Sequence, residues 1–333
     1  MFASIGLLLL SASVSRVSGL KNSAVVFVKP HASSSAVEAF VREHLSSAGV
    51  SIVDAGIKEA AEIDSLKLID QHYGSLARLA MDTDPSEILL TPAAEAAFEE
   101  AYGTPWSDAL GSMMTNPAAM ASLGVDGLAL ESLWRGGKDV KLAPGTYIAQ
   151  LTQPAADGSP LYTINGFYPA MRQAFVAPGA TVRYLVCEWE EESLSWASFR
   201  QSVIGATNPS VAAAGSCRAR LLEAWEDLGL TEAPGMPNNG VHASAGPLEG
   251  LKERMVWCGT ELAADPLAQQ LAAAGVGLPV LAEWLEQNPM VTLGGETDKL
   301  FDLTEEMGAD AVVETCRSSF GGAYEYEPAC AIY

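Results

Sequence analysis

The spacing of apolar positions changes period repeatedly over the first eighty residues. Residues 23–30 (S-A-V-V-F-V-K-P) form a nearly unbroken run of small and β-branched side chains, the pattern of a strand buried on both faces. After Pro30 the apolar positions move three or four apart, at Val37, Phe40, Val41 and Leu45. That spacing predicts a helix, with a serine among Ser33–Ser35 as its cap and Gly49 at its end. Residues 50–57 return to strand character. Residues 61–79 predict one helix with Ile63, Leu66, Ile69, Tyr73 and Leu76 inward. Strand–helix–strand–helix opens both doubly wound and ferredoxin-like folds, and chain order alone does not separate them.

Farther along, residues 82–142 are rich in helical pattern but interrupted by Pro85, Pro92, Pro105, Pro117 and the Gly136-Gly137 pair. Residues 146–152 and 160–168 predict two strands joined at Asp157-Gly158, and residues 180–189 a further strand. Residues 193–205 predict a helix burying Trp196, Phe199 and Val203. A short helix over residues 221–230 leads into a Pro/Gly-rich linker. Pro247 then starts a helix with Leu248, Leu251 and Met255 on one face and Glu249 and Glu253 on another. Residues 278–285 and 300–313 predict amphipathic helices.

Composition narrows the function classes. Nearly half of the 333 residues are hydrophobic, so a globular chain with a large core is expected. The net charge of −22 argues against nonspecific nucleic-acid binding and against docking on anionic lipid. It also opposes a polyphosphate ligand, so any such site must be locally basic. The five cysteines (Cys187, Cys217, Cys258, Cys316, Cys330) include no C-x-x-C, which fits free thiols in a reducing compartment rather than a zinc site. Residues 1–21 are apolar, then Ser-rich. Their run at residues 5–10 is too short to span a bilayer. A signal-peptide core, a transit peptide and an imprecise start codon all fit this leader, and the cellular address stays open. The tail from residue 259 carries thirteen acids against Lys299 and Arg317. A solvated helical coat is the favoured reading of it, with a partner-docking or oligomer-shaping extension as the alternative.

Candidate chemistry centres on N-N-G-V-H-A-S, residues 238–244. Imidazole titrates nearest neutrality, so His242 can act as a neutral nucleophile, and a helix beginning at Pro247 lets Glu253 reach back to orient it. A lone histidine is more often structural. Its surroundings, however, resemble nucleoside diphosphate kinase, whose signature reads roughly N-x-x-H-G-S-D-S followed by a helix carrying a glutamate. Asn239, His242, Ser244 and Glu253 match it in type and spacing. Residues 204–218 (I-G-A-T-N-P-S-V-A-A-A-G-S-C-R) resemble the family's G-x-T-N-P…G-T-I-R segment, and V-V-F-V-K-P at residues 25–30 its first strand and phosphate-site lysine.

That resemblance implies an α+β, ferredoxin-like sandwich. Residues 22–81 and 180–258 would form the kinase-like domain, with a helical and β insertion at 82–179 and an acidic helical extension at 259–333. It implies transfer of the γ-phosphate of ATP to a nucleoside diphosphate through phospho-His242, with Glu253 and Ser244 supporting the nucleophile. Lys29, Thr207 and Arg218 would surround the phosphates, and Asn239 with Lys29 the ribose. Mg²⁺ would be held by the nucleotide's own oxygens, and a homo-oligomer is the family habit. His72-Tyr73 resembles the family's His-Tyr, placing Tyr73 near the phosphates, although a core role fits Tyr73 equally well. Departures are also present. Met81 stands where the family stacks an aromatic on the base, and Ala245 replaces a loop-fixing aspartate. Gln201 occupies the position of a phosphate-binding arginine, with Arg200 one residue earlier, about 100° away on an α-helix; Arg200 is expected to bind the phosphates by bending its long stem back. These departures support an alternative, a catalytically weak binding or assembly module. No P-loop or dinucleotide fingerprint is present.

Overall fold

The computed structural model describes residues 19–319. Most of the leader, Cys330, and the tail acids Glu325 and Glu327 lie outside the described residues. The nine strands among them are β1 (Asn22–Val28), β2 (Ser51–Glu59), β3 (Asp139–Ala143), β4 (Thr146–Gln150), β5 (Tyr162–Ile164), β6 (Thr181–Trp189), β7 (Val241–Ala243), β8 (Met290–Leu293) and β9 (Glu296–Lys299). Four of them form one sheet in the order β2-β6-β1-β7, with every neighbouring pair antiparallel. Each parallel βαβ pair of this sheet therefore has an antiparallel strand inserted between its members, the split-βαβ arrangement of ferredoxin-like sheets.

Both faces of the sheet are covered, which explains why β1 reads as a continuous apolar run. Ala24, Val26 and Val28 face helix Ser35–Ser47 and the helical segment beginning at Trp196, in a core that includes Val37, Val41, Leu45, Trp196 and Phe199. Val25 and Phe27 face the other way, toward Ile63, Ile69, Phe175 and Trp257. Ser34 caps the first helix by accepting a hydrogen bond from the Val37 amide, and Gly49 closes the connection at φ 80°.

Between β2 and β6, β3, β4 and β5 make a separate three-stranded sheet. β3 lies in a stretch whose pattern predicted helix. Its cores pack Phe98, Trp106, Ile148 and Tyr162 in one cluster and Leu130, Trp134 and Leu161 in another.

Several expectations need correction. The single helix over residues 61–79 is three short helices, Ala60–Ser65, Leu68–Tyr73 and Ser75–Met81. The breaks fall at Lys67 and Gly74, both at positive φ. The stripe of residues 300–313 likewise divides into Leu300–Thr304 and Ala309–Ser319. The helix placed over residues 221–230 runs instead over Cys217–Glu223. The acidic tail is no mere solvated coat. It adds helices Pro266–Ala273 and Leu278–Gln287 and the β8–β9 hairpin, and it encloses a core of Leu267, Leu271, Leu281, Trp284 and Val312 around Leu248 and Leu251. The end of the leader also belongs to the fold: Leu20 packs on that cluster and its amide donates to the Asp310 carboxylate. Among the described residues, no helix is long and apolar enough to cross a membrane. Cys187, Cys217, Cys258 and Cys316 are free thiols.

Candidate active site around His242

His242 is the middle residue of β7, opposite Phe27 of β1. Directly opposed residues of an antiparallel pair project to the same face. The imidazole therefore lies on the Phe27 side of the sheet and stacks on that ring, with centroids 4.6 Å apart. Val241 and Ala243 project to the opposite core. The following helix, Pro247–Cys258, packs along β1 on the His242 side and brings Glu253 beneath the ring.

Glu253 is 1% exposed, and its two oxygens have separate partners. Oε1 lies 2.6 Å from His242 Nε2, and Oε2 accepts the Ser244 hydroxyl at 2.6 Å. Ser244 Oγ also accepts from the Val25 amide at 2.9 Å, which leaves the hydroxyl proton for Glu253. A carboxylate that accepts from Ser244 also accepts from an Nε2–H, so His242 carries its proton on Nε2 and a lone pair on Nδ1. Burial holds His242 down to about 3, helped by Lys29, Arg218 and Arg200 and opposed by Glu249. The ring is thus neutral at physiological pH, although a fifth of its side chain meets solvent. Burial pushes Glu253 upward, against the pull of His72 and the Ser244 hydrogen bond.

His72 stands edge-on to His242 at 4.7 Å and approaches Glu253 Oε1 at 3.4 Å. His72 Nδ1, His242 Nε2 and Glu253 Oε1 lie within 4.8 Å of one another, a possible metal-ligand set. The 2.6 Å separation is, however, a hydrogen bond. Two ligands each about 2.0–2.1 Å from one zinc ion in tetrahedral array stand farther apart. Trp257 Nε1–H also points at His72 Nδ1 from 3.4 Å. The group is a hydrogen-bonded network rather than a coordination shell.

A cavity of about 490 Å³ opens beside His242, lined by Arg200, Gln201, Thr207, Arg218, Glu249 and Glu306 among others. Arg218 donates to the main-chain carbonyls of Gly205 (2.7 Å) and Val241 (2.9 Å), tying the 205–216 loop to β7. Burial lowers it to about 10. Gly205 sits at φ 92°, where a Cβ would meet Ser216 Oγ at 2.3 Å, so only glycine fits the turn. Lys29 follows β1, its amide bonded to Gly240 O. Burial and then the Arg218 charge bring its ammonium down to about 8. Asn239 donates from Nδ2 to Thr207 O at 3.0 Å, while its buried Oδ1 has no partner.

The departures from the kinase pattern have physical outcomes here. Residues Phe199–Ile204 form a π-helical turn, whose wider winding reduces only modestly the rotation between Arg200 and Gln201. Both side chains reach the cavity. Neither is free. Arg200 Nη1 pairs with Glu305 and, at 3.1 Å, with Glu306, and Gln201 Nε2 donates to Glu306 at 3.1 Å. Ala245 lacks the loop-fixing carboxylate, but its amide donates to Glu249 and its carbonyl accepts from the Glu306 amide. Met81 does not line the cavity. It packs near Ala77, Ala80 and Tyr168, and Lys29 and Asn239 also lie off this cavity's wall. Tyr73 stands edge-on to His72 and Tyr168, a core position outside the cavity wall. Arg183, partly buried, is paired with Glu38.

Glu305 and Glu306 escaped the sequence reading, because only a long-range contact carries them to Arg200; the acid-rich tail was their sole signal. His31, which accepts from the Gly240 amide at 3.1 Å, was also missed, with nothing local to mark it.

No protein-family model matches the chain, and no curated protein matches it. Among solved structures it is similar to nucleoside diphosphate kinase from Encephalitozoon cuniculi, at 11% identity and a TM-score of 0.34, covering 74% of this chain and 92% of that one. An NDP kinase from Pyrobaculum aerophilum overlaps at 16% identity and 0.33, covering 72% and 96%. Nucleoside-diphosphate kinase from Borrelia burgdorferi with bound vanadate and ADP overlaps at 14% and 0.31, covering 72% and 87%. Overlaps at this level establish no function; the side chains around His242 carry the functional reading.

Proposed function

We propose that the chain is a nucleoside diphosphate kinase-type phosphotransferase that uses His242 as its nucleophile. The observation that carries this reading is the Ser244–Glu253–His242 relay, which leaves Nδ1 unprotonated beside a cavity holding Arg200 and Arg218. Nδ1 of the neutral ring attacks the γ-phosphorus of ATP. The P–N bond forms as the bond to the β,γ-bridging oxygen breaks, and ADP leaves with that electron pair. The phosphorylated ring is cationic, and its Nε2–H keeps its bond to the buried Glu253, which stabilises the charge where it develops. An acceptor diphosphate oxygen then attacks the same phosphorus and restores neutral His242.

Lys29, Arg218 and Thr207 are assigned to the phosphates, where phosphoryl transfer asks mainly for positioning and charge neutralisation. Asn239 is assigned to the ribose; its Oδ1, buried without a partner, must turn outward to accept from a hydroxyl. Mg²⁺ would arrive on the nucleotide's oxygens and screen their charge. Of this chain's donors, the Glu249 carboxylate on the cavity wall fits such a hard cation. Tyr73 and Met81 have no part in this proposal.

Incubation with γ-labelled ATP tests it. The expected result is acid-labile, base-stable label on the protein, chased off by a nucleoside diphosphate. Absence of label overturns the catalytic reading and leaves the alternative, a binding module, which the occupied state of Arg200 favours.

A further inference from the structure

The carboxylates on Arg200 come from a turn seated closely on the histidine loop. The extension's helix Leu300–Thr304 ends at Thr304, and Glu306 adopts φ 60°, a left-handed conformation unusual for a side-chain-bearing residue. The Glu306 amide bonds to Ala245 O, three residues after His242 in sequence, and Thr304 Oγ returns to Leu300 O at 2.9 Å. Gly246 accepts the turn at close quarters: a Cβ there would lie 2.8 Å from Thr304 O and 3.2 Å from Glu305 Cα. The turn is therefore seated on the histidine loop itself, with Glu305 half-exposed and Glu306 on the cavity wall.

We propose that this turn is a latch over the phosphate pocket, in which Glu305 and Glu306 hold the Arg200 guanidinium until a polyphosphate displaces them. The proposal rests on the phosphate-binding part of the functional reading above. Carboxylate and phosphate oxygens seek the same planar fork of donors, and both carboxylates sit on Nη1, so a polyphosphate that claims the Nη1 side of the fork must displace them. Ligand and latch also repel each other as like charges. Occupancy of the pocket is therefore coupled to release of the turn, and through it to the extension's helices. In the empty protein the two carboxylates offset the Arg200 charge and weaken its attraction for an anionic ligand.

The test is calorimetric titration of inorganic tripolyphosphate into the full chain, its Glu305→Gln/Glu306→Gln variant, Arg200→Ala, and the three changes combined, each first checked for an unchanged melting temperature. The latch predicts that the double glutamine variant binds at least tenfold more tightly than the parent. Arg200→Ala should change affinity less than threefold in the parent but at least tenfold in the glutamine background, where the guanidinium is free. Equal or weaker binding by the double glutamine variant overturns the latch. No binding by any of the four proteins overturns both the latch and the phosphate pocket. Tightening without label on His242 from γ-labelled ATP keeps the latch and rejects phosphotransfer.

Discussion

The floor and the rim of the His242 cavity are built on different terms. On the floor, each polar group answers to the four-stranded sheet or to the helix behind it: Ser244 to Val25, Glu253 to Ser244 and His242, and Arg218 to two main-chain carbonyls. These contacts are short, largely buried and set by strand register. On the rim, Arg200 and Gln201 meet Glu305 and Glu306, with Arg200 about a third exposed. Solvent screens such a pair, so it is worth little to stability and is open to competition from an anion. The difference teaches that strand register and burial hold His242 in place while the rim pairs stay exchangeable with solvent, so each region can be altered separately.

The largest effect is expected on the floor. His242→Ala should abolish labelling from γ-labelled ATP with little loss of melting temperature, since the ring is partly exposed and its removal leaves the sheet paired. Parental labelling in this variant would exclude His242 as nucleophile. Glu253→Gln should follow. It keeps the shape but loses the charge that stabilises the phosphorylated ring, slowing single-turnover labelling roughly a hundredfold, at the lower end of proton-handling effects. A rate within threefold of the parent would show that the relay is only structural.

A pH series then separates two charges, Glu249 on the cavity wall and Lys29, which lies off that wall near Arg218. Glu249, raised to about 7 by burial and by Glu253, gains negative charge as pH rises through that value. Lys29 loses its positive charge through about 8. Both changes disfavour an anion, so tripolyphosphate affinity should fall from pH 6 to 9, by roughly tenfold for each charge, the scale of one charge-assisted hydrogen bond. Glu249→Gln should remove the step near 7 and Lys29→Met the step near 8, as read by calorimetry at several pH values. A flat profile would place both groups out of reach of the ligand. The smallest effect belongs to the rim's neutral member: Gln201→Ala should change tripolyphosphate affinity by less than threefold. A tenfold loss there would transfer to Gln201 the role given to Arg200.

What was legible in the sequence follows from local physics. The buried run of β1, the Ser34-capped helix and the Pro-started helix Pro247–Cys258 are short-range consequences of side-chain shape and period. The eleven-residue interval from His242 to Glu253 carried their contact too, since a three-residue strand and the start of a helix allow little else. The breaks at Lys67 and Gly74 were not legible, because the apolar stripe continues through them and tertiary contacts, including Lys252 against Gly74, set the bend. The π turn that carries Arg200 and Gln201 was hidden for the same reason: periodicity assumes α geometry, while packing of Phe199 and Val203 and the close of the segment at Gly205 are set by the fold. The tertiary structure alone decided the rim. More than a hundred residues separate Arg200 from Glu305, and only the seating of the extension on Leu248, Leu251 and Gly246 brings the two charges together. Sequence supplied the ionisable groups; burial and long-range packing chose which of them meet.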